Sequence, residues 1–277
     1  MRTHDHREFP VDELVAAKGQ QRVSVCLPAR DEAATVGAIV RVLAEDLAPR
    51  RLIDEILVID DGSTDGTADV AAAAGARVVA AATVLPELGG GFGKGEALWK
   101  SLAAAEGDIV VWCDADVRNF GSHFVTGLLG PLLTDPTIAF VKAFYERPAH
   151  GRAGEGGRVT ELVARPVIAA LFPHLAGFGQ PLAGEYAGRR ELLERVPFVQ
   201  GWGVEIGLLV DVAALAGLAA MAQVDLGVRV HRNRPLDELV PQADEVLRTA
   251  LARAGVIGRV AERPPLAGVP APRLRSA

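Results

Sequence analysis

The chain has 277 residues, 49% of them hydrophobic, enough to bury a sizeable core in one large domain or two small ones. A formal net charge of −6 provides no global basic field for nucleic acid or an anionic membrane, so an anionic ligand has to be met by a local cluster of Arg and Lys. Cys26 and Cys113, each inside an apolar run, make neither a disulfide framework nor a zinc site and read as buried thiols of a reducing, cytoplasmic compartment.

The opening stretch MRTHDHREFPVDEL is charged and lacks the apolar core of a signal peptide, so residues 1–21 read as an N-terminal extension. From Arg22 the pattern alternates. Val23 to Leu27 is a β-rich run, Glu32 to Asp46 carries apolar residues at helical spacing, and Glu55 to Asp60 is a second strand, apolar enough to be covered on both faces. After the turn DGSTDGT come a helix over Ala68 to Ala74 with Gly75 as its C-terminal stop, a strand over Arg77 to Ala81, a helix over Gly95 to Glu106 and a strand over Asp108 to Cys113. This order predicts an α/β fold with a mostly parallel, Rossmann-like central sheet flanked by helices.

The second half is less regular. Ile138 to Phe144 reads as a strand, Gly151 to Arg158 as a mobile loop, Glu161 to Leu171 and Ala243 to Ala254 as helices, and the Pro-rich residues 263–277 as a poorly ordered tail. Ile206 to Val224 is nearly long enough to span a bilayer, yet it carries Asp211, and a mid-membrane Asp costs about 2.5–3.5 kcal/mol. It reads as a buried helix. One domain over 22–262 is expected.

Ligands of open parallel sheets bind outside the carboxyl ends of the strands. Here those ends carry Leu27-Pro-Ala-Arg-Asp-Glu32, Asp60-Asp-Gly-Ser-Thr-Asp65 and Asp114-Ala-Asp116. Asp, Ser and Gly are also ordinary turn and cap residues, but three acid-rich turns on one edge exceed that explanation. Two carboxylates two residues apart beyond an apolar strand suit Mg²⁺ or Mn²⁺, which keep waters and share phosphate oxygens. The run Gly89 to Gly95 fails as a P-loop: Leu88 stands where the first Gly is required, and Gly95 follows the Lys. It reads either as a plain flexible loop or as one that delivers Lys94 to a nucleotide.

Taken together, Leu27-Pro-Ala-x-x-Glu32, Ile59-Asp-x-Gly-Ser-Thr-Asp65, Gly93-Lys-Gly95, Asp114-Ala-Asp116, Gly157-Arg-Val-Thr-Glu-Leu-Val-Ala-Arg-Pro166, Gly201-Trp-Gly-Val-Glu-Ile206 and His231-Arg-Asn-Arg-Pro235 resemble the retaining GT-A glycosyltransferases that comprise the glucosyl- and mannosyl-3-phosphoglycerate synthases. The resemblance runs from about Val23 to Arg234 and implies a nucleotide-sugar-binding half over 22–120 and an acceptor-binding half over 121–262. It implies a GT-A fold and glucose transfer from UDP-glucose to 3-phosphoglycerate by a homodimer without a membrane anchor. It implies that Pro28, Ala29, Glu32, Asp61, Ser63, Lys94, Asp114 and Ala115 bind the nucleotide. Asp116 and His231 would hold Mg²⁺ or Mn²⁺, and Gly157, Arg158, Val159, Thr160 and Asn233 would hold the acceptor. Glu205 with Asp116 would form the catalytic pair, Glu205 binding the donor sugar beneath its anomeric carbon. Glu185 is a lesser candidate, and Arg30 and Asp31 depart from the family pattern. Mannose transfer from GDP-mannose is the nearest alternative; the presence of all the expected ligands argues against a non-catalytic nucleotide-sugar binder, and the acidic net charge against a membrane-surface lipid-phosphate transferase.

Overall fold

A computed structural model describes residues 1–148, 157–231 and 235–269. In chain order the elements are β1 (Arg2–Asp5), α1 (Val11–Lys18), β2 (Val23–Ala29), α2 (Val36–Val42), β3 (Glu55–Asp60), α3 (Thr67–Ala73), β4 (Arg77–Ala80), α4 (Gly93–Ala104) and β5 (Ile109–Trp112). There follow α5 (His123–Thr134), β6 (Phe140–Glu146), α6 (Arg165–Leu171), β7 (Tyr186–Arg189), α7 (Arg190–Leu193), β8 (Phe198–Val199), α8 (Val204–Ala216), β9 (Met221–Val228), α9 (Leu236–Arg253) and β10 (Glu262–Arg263). An eight-stranded sheet has the order β1-β9-β6-β7-β5-β2-β3-β4, and β10 pairs with β8 in a separate ribbon. Within the sheet every pairing is parallel except the two made by β7.

Burial on both faces explains the continuous apolar strands. Along β2, Val23, Val25 and Leu27 join a core with Leu14, Ile39, Ala71 and Phe124 on one side of the sheet. Cys26 points the other way, into a core with Trp99, Trp112, Ile206 and Val246. This is the period-two alternation of a strand with helices on each side.

β2 is flanked by β3 on one side and β5 on the other, so the chain reverses its direction of travel across the sheet between them. A cleft opens outside the carboxyl ends of strands at such a switch point. β6 and β9 run parallel to β5, so Arg147 and the segment after Val228 emerge at the same edge. Antiparallel β7 brings its first residues, after Gly184 and Glu185, to that edge as well.

Several sequence expectations need correction. The stretch 1–21 is not a mere extension, because β1 pairs with β9 as the edge of the main sheet and Leu14 of α1 is in the core. Ile206 to Val224 is not one helix. α8 stops at Gly217 (φ 76°), a conformation that suits glycine, and β9 begins at Met221. The tail reading fails for its first residue: Arg263 lies in β10 and is 8% exposed. α5 had no legible helical pattern because Gly127, Gly130 and Pro131 interrupt it. The glycines are required there, since a Cβ on Gly130 would sit 2.1 Å from the Phe9 ring.

Candidate active site

The cleft at the switch point has a volume of about 590 Å³. Lining it are Pro28, Ala29, Glu32, Asp61, Lys94, Asp114 and Ala115, seven of the eight residues that the resemblance assigns to a nucleotide. Ser63 is the exception. It does not line the cleft; its hydroxyl accepts the Asp31 N–H at 3.0 Å. Asp31, with φ 55°, accepts in turn from the Thr64 N–H at 2.8 Å, and Thr67 accepts the Glu32 N–H at 2.8 Å. The two acid-rich turns after β2 and β3 are thus tied together through backbone amides. Burial raises the pKa of Asp61, with Arg30 3.7 Å away opposing it.

Asp114 follows β5 and is gripped from two sides: Lys94 Nζ lies 2.5 Å from its Oδ1, and Arg229 Nη2 lies 2.7 Å from its Oδ2. Burial works to raise this carboxyl, but Lys94 and Arg229 overcome it and hold it well below the ordinary carboxylate range. Gly184 makes the approach possible, since a Cβ there would stand 2.2 Å from Asp114 Oδ2. Lys94 starts α4 and is not a dangling loop residue. Its ammonium also lies 2.8 Å from Glu205 Oε1, at an angle that makes the contact ionic rather than a hydrogen bond. Burial disfavours the ammonium, yet Asp114 and Glu205 raise its pKa well above the ordinary lysine value.

Arg229 is the residue the sequence reading missed. It is 2% exposed and also reaches Asp116 Oδ1 at 2.9 Å and Glu185 Oε1 at 2.9 Å. Glu185, fully buried and absent from the cleft wall, accepts the Tyr145 hydroxyl at 2.5 Å. It supports Arg229 from beneath. The available signal was a charged residue between Val228 and Val230, immediately before His231.

His231 reaches the cleft because the loop after β5 binds the end of β9. Arg118 N donates to Val230 O at 2.8 Å, and Asn119 bonds Val228 O at 2.7 Å and Val230 N at 2.8 Å. Burial, then the positive Arg229 and Arg147, push the imidazole down to about pKa 4, leaving it neutral with a lone pair to donate. Asp116 and His231 share the cleft wall, a carboxylate and an imidazole that suit Mg²⁺ or Mn²⁺. Among the described residues no three His, Cys, Asp or Glu side chains converge as a complete metal cage. Such an open pair fits an ion completed by phosphate oxygens and water.

Gly157, Arg158, Val159 and Thr160 also line the cleft, with Gly157 at φ 73° and Thr160 1% exposed. Arg147, Leu182, Trp202 and Gln242 line it as well and were not foreseen. Asn233 and most of the expected loop 151–158 lie outside the described residues. The cleft therefore brings together strand-end acids, the Asp116 carboxylate and His231 imidazole, and the Arg158 and Thr160 side chains.

The comparisons agree. Residues 24–160 match the model of glycosyl transferase family 2. The chain is 53% identical over 257 residues to the glucosyl-3-phosphoglycerate synthase of Mycolicibacterium paratuberculosis, covering 90% of this chain and 77% of that protein. To that of Petrotoga mobilis it is 45% identical, covering 94% and 82%. The crystal structure of the Mycobacterium tuberculosis glucosyl-3-phosphoglycerate synthase with Mn²⁺, UDP-glucose and phosphoglyceric acid superposes with a TM-score of 0.90 at 47% identity, covering 96% and 98%. The mannosyl-3-phosphoglycerate synthase of Rubrobacter xylanophilus gives 0.91 at 38% identity, covering 97% of each chain. The chain belongs to the glucosyl-3-phosphoglycerate synthase family.

Proposed function

We infer that this chain transfers glucose from UDP-glucose to 3-phosphoglycerate, yielding glucosyl-3-phosphoglycerate and UDP. The observation that carries this reading is the convergence of Lys94, Asp114, Asp116, His231, Arg158 and Thr160 on one cleft. It is supported by structures of the tuberculosis enzyme with UDP-glucose and phosphoglyceric acid, and with UDP and glucosyl-3-phosphoglycerate. Structures of that enzyme with Mn²⁺ or Mg²⁺ support the same cofactors here.

In this reading Pro28, Ala29, Glu32 and Asp61 hold the nucleotide, with Ser63 acting through Asp31. A divalent cation held by Asp116 and His231 neutralises the departing diphosphate when bound. Lys94 and Arg229 fix Asp114 in a preorganised electrostatic wall, so little reorganisation accompanies bond breaking. Arg158 forks onto the acceptor phosphate, and Thr160 adds a hydroxyl donor. Glu205, its charge balanced by Lys94, binds sugar hydroxyls; that ion pair disfavours it as a covalent nucleophile. We read the transfer as retaining, through a front-face route in which positioning does most of the work. Residues 22–120 form the donor half and 121–262 the acceptor half. The free thiols of Cys26 and Cys113 support a cytoplasmic setting, and the family resemblance supports a homodimer.

Incubation of purified protein with 3-phosphoglycerate and either UDP-glucose or GDP-mannose, with and without EDTA, tests this directly. Mass spectrometry should find a hexosyl-phosphoglycerate from UDP-glucose alone, lost with EDTA and restored by Mn²⁺. Asp116→Ala should lose turnover while keeping its unfolding transition. Product from GDP-mannose only would reassign the donor, and full turnover by Asp116→Ala would remove the metal assignment.

A further inference from the structure

The Gly-rich run before α4 is an unusual support for an active-site lysine. Gly89, Gly90 and Gly91 bring no side chains to pack, and Leu88 and Phe92 are 38% and 54% exposed. Such a segment has many conformations open to it and needs a fastener to hold one. The fastener comes from the far end of the chain. Arg263 Nη1 donates to Leu88 O and Nη2 to Gly89 O, each at 2.7 Å. The same guanidinium grips the Glu96 carboxylate, one turn into α4, through Nε at 2.6 Å and Nη2 at 2.7 Å. Its Cζ lies 5.1 Å from the Trp99 ring centroid, and the Trp99 indole donates to Pro264 O at 2.9 Å.

The surrounding backbone closes the clamp. β10 pairs with β8, Gln200 N donates to Ala261 O, and Gly201 N donates to Phe92 O. Gly93 and Gly95 let α4 start hard against this segment: a Cβ on Gly93 would stand 2.8 Å from Gly201 Cα, and one on Gly95 would stand 1.8 Å from Val199 O. Lys94 lies between these two contacts.

We propose that Arg263 is a positioning residue for donor binding: it ties the carbonyls of Leu88 and Gly89, where the glycine run begins, to Glu96 and thereby sets the start of α4, from which Lys94 reaches Asp114 and Glu205. The inference rests on the reading of Lys94 as part of the donor site. A planar guanidinium suits the task because it serves two carbonyls and both carboxylate oxygens at once, which an ammonium cannot.

Steady-state assays with UDP-glucose and 3-phosphoglycerate varied separately, on wild type, Arg263→Ala, Arg263→Lys and Lys94→Ala, are paired with amide exchange of residues 88–93 read by mass spectrometry. Arg263→Ala should raise the KM for UDP-glucose about tenfold, as loss of charged hydrogen bonds predicts, and change the KM for 3-phosphoglycerate by less than about twofold. Exchange over 88–93 should accelerate about tenfold while β2, β3 and β5 keep wild-type protection. Arg263→Lys should fall between. Glu96→Gln, which keeps the shape of the partner, should loosen the same amides and secures the test should Arg263→Ala not fold. Wild-type exchange over 88–93 in Arg263→Ala, or equal rises in both KM values with protection lost throughout the sheet, would overturn the proposal. An unchanged UDP-glucose KM in Lys94→Ala would instead overturn the reading of Lys94, while the exchange data still decide whether Arg263 holds the loop.

Discussion

Replacing Arg229 by Met keeps a long apolar stem but removes the charge that three carboxylates share. Asp114 and Asp116 have side chains 22% and 25% exposed and can recover water, whereas Glu185 is fully buried. Glu185 would keep the Tyr145 hydroxyl and lose its only ion-pair partner among the described residues. Breaking a buried pair by removing one member costs about 3–5 kcal/mol, most of it the stranded charge. At about 2–4 °C per kcal/mol for a chain of this size class, Tm should fall by roughly 6–20 °C. Glu185→Gln removes the stranded charge but still accepts from Tyr145. The double variant should therefore be more stable than the sum of the singles implies, with a coupling energy of about 1–3 kcal/mol. Urea denaturation of wild type, both singles and the double, analysed by linear extrapolation, measures this. A coupling below about 0.5 kcal/mol would refute the view that Glu185 exists to seat Arg229.

Three further outcomes are expected. Gly184→Ala places a Cβ 2.2 Å from Asp114 Oδ2, so that carboxylate must leave Lys94 and Arg229, and kcat/KM should fall about 10²-fold in a folded protein; unchanged kinetics would show that Asp114 needs no such placement. Arg158→Ala should raise the KM for 3-phosphoglycerate about tenfold or more with little change in that for UDP-glucose; an unchanged acceptor KM would move the phosphate grip elsewhere. Burial pulls the Lys142 ammonium down to about pKa 7, and its amine donates to Ala183 O at 2.9 Å. In the unfolded chain a lysine titrates near 10.4, so between about pH 7 and 10 the unfolded state binds the extra proton and stability rises with pH. From pH 7 to 9 wild type should gain about 2 kcal/mol relative to Lys142→Met in denaturation experiments; a constant difference would mean that Lys142 keeps its proton when folded.

Sequence alone located those parts of the cleft that lie in short local segments. The acid-rich turns after β2, β3 and β5 were placed correctly because each follows an unbroken apolar strand, and strand ends in a parallel sheet share an edge. For Ser63 the motif does not say whether its hydroxyl meets the neighbouring turn; the structure shows it accepting the Asp31 N–H. Arg229 was hidden, and Glu185 stood only as a lesser candidate, for a related reason. Their meaning lies in contacts with each other and with Asp114 across 44 and 115 residues of chain, which no spacing rule reports.

By itself the sequence determined the parallel half of the sheet and the edge at which three acid-rich turns gather. Those follow from periodicities of two and 3.6 and from turns only a few residues long. Tertiary structure alone decided the rest: β1 as the edge strand beside β9, the break of an apolar run into α8 and β9, the guanidinium of Arg229 among three carboxylates, and Arg263 fastening a glycine loop some 175 residues earlier. The physical reason is common to all four. Each is a pairing of groups with no local preference for that state, stabilised only when folding brings a distant partner to exclude water from it.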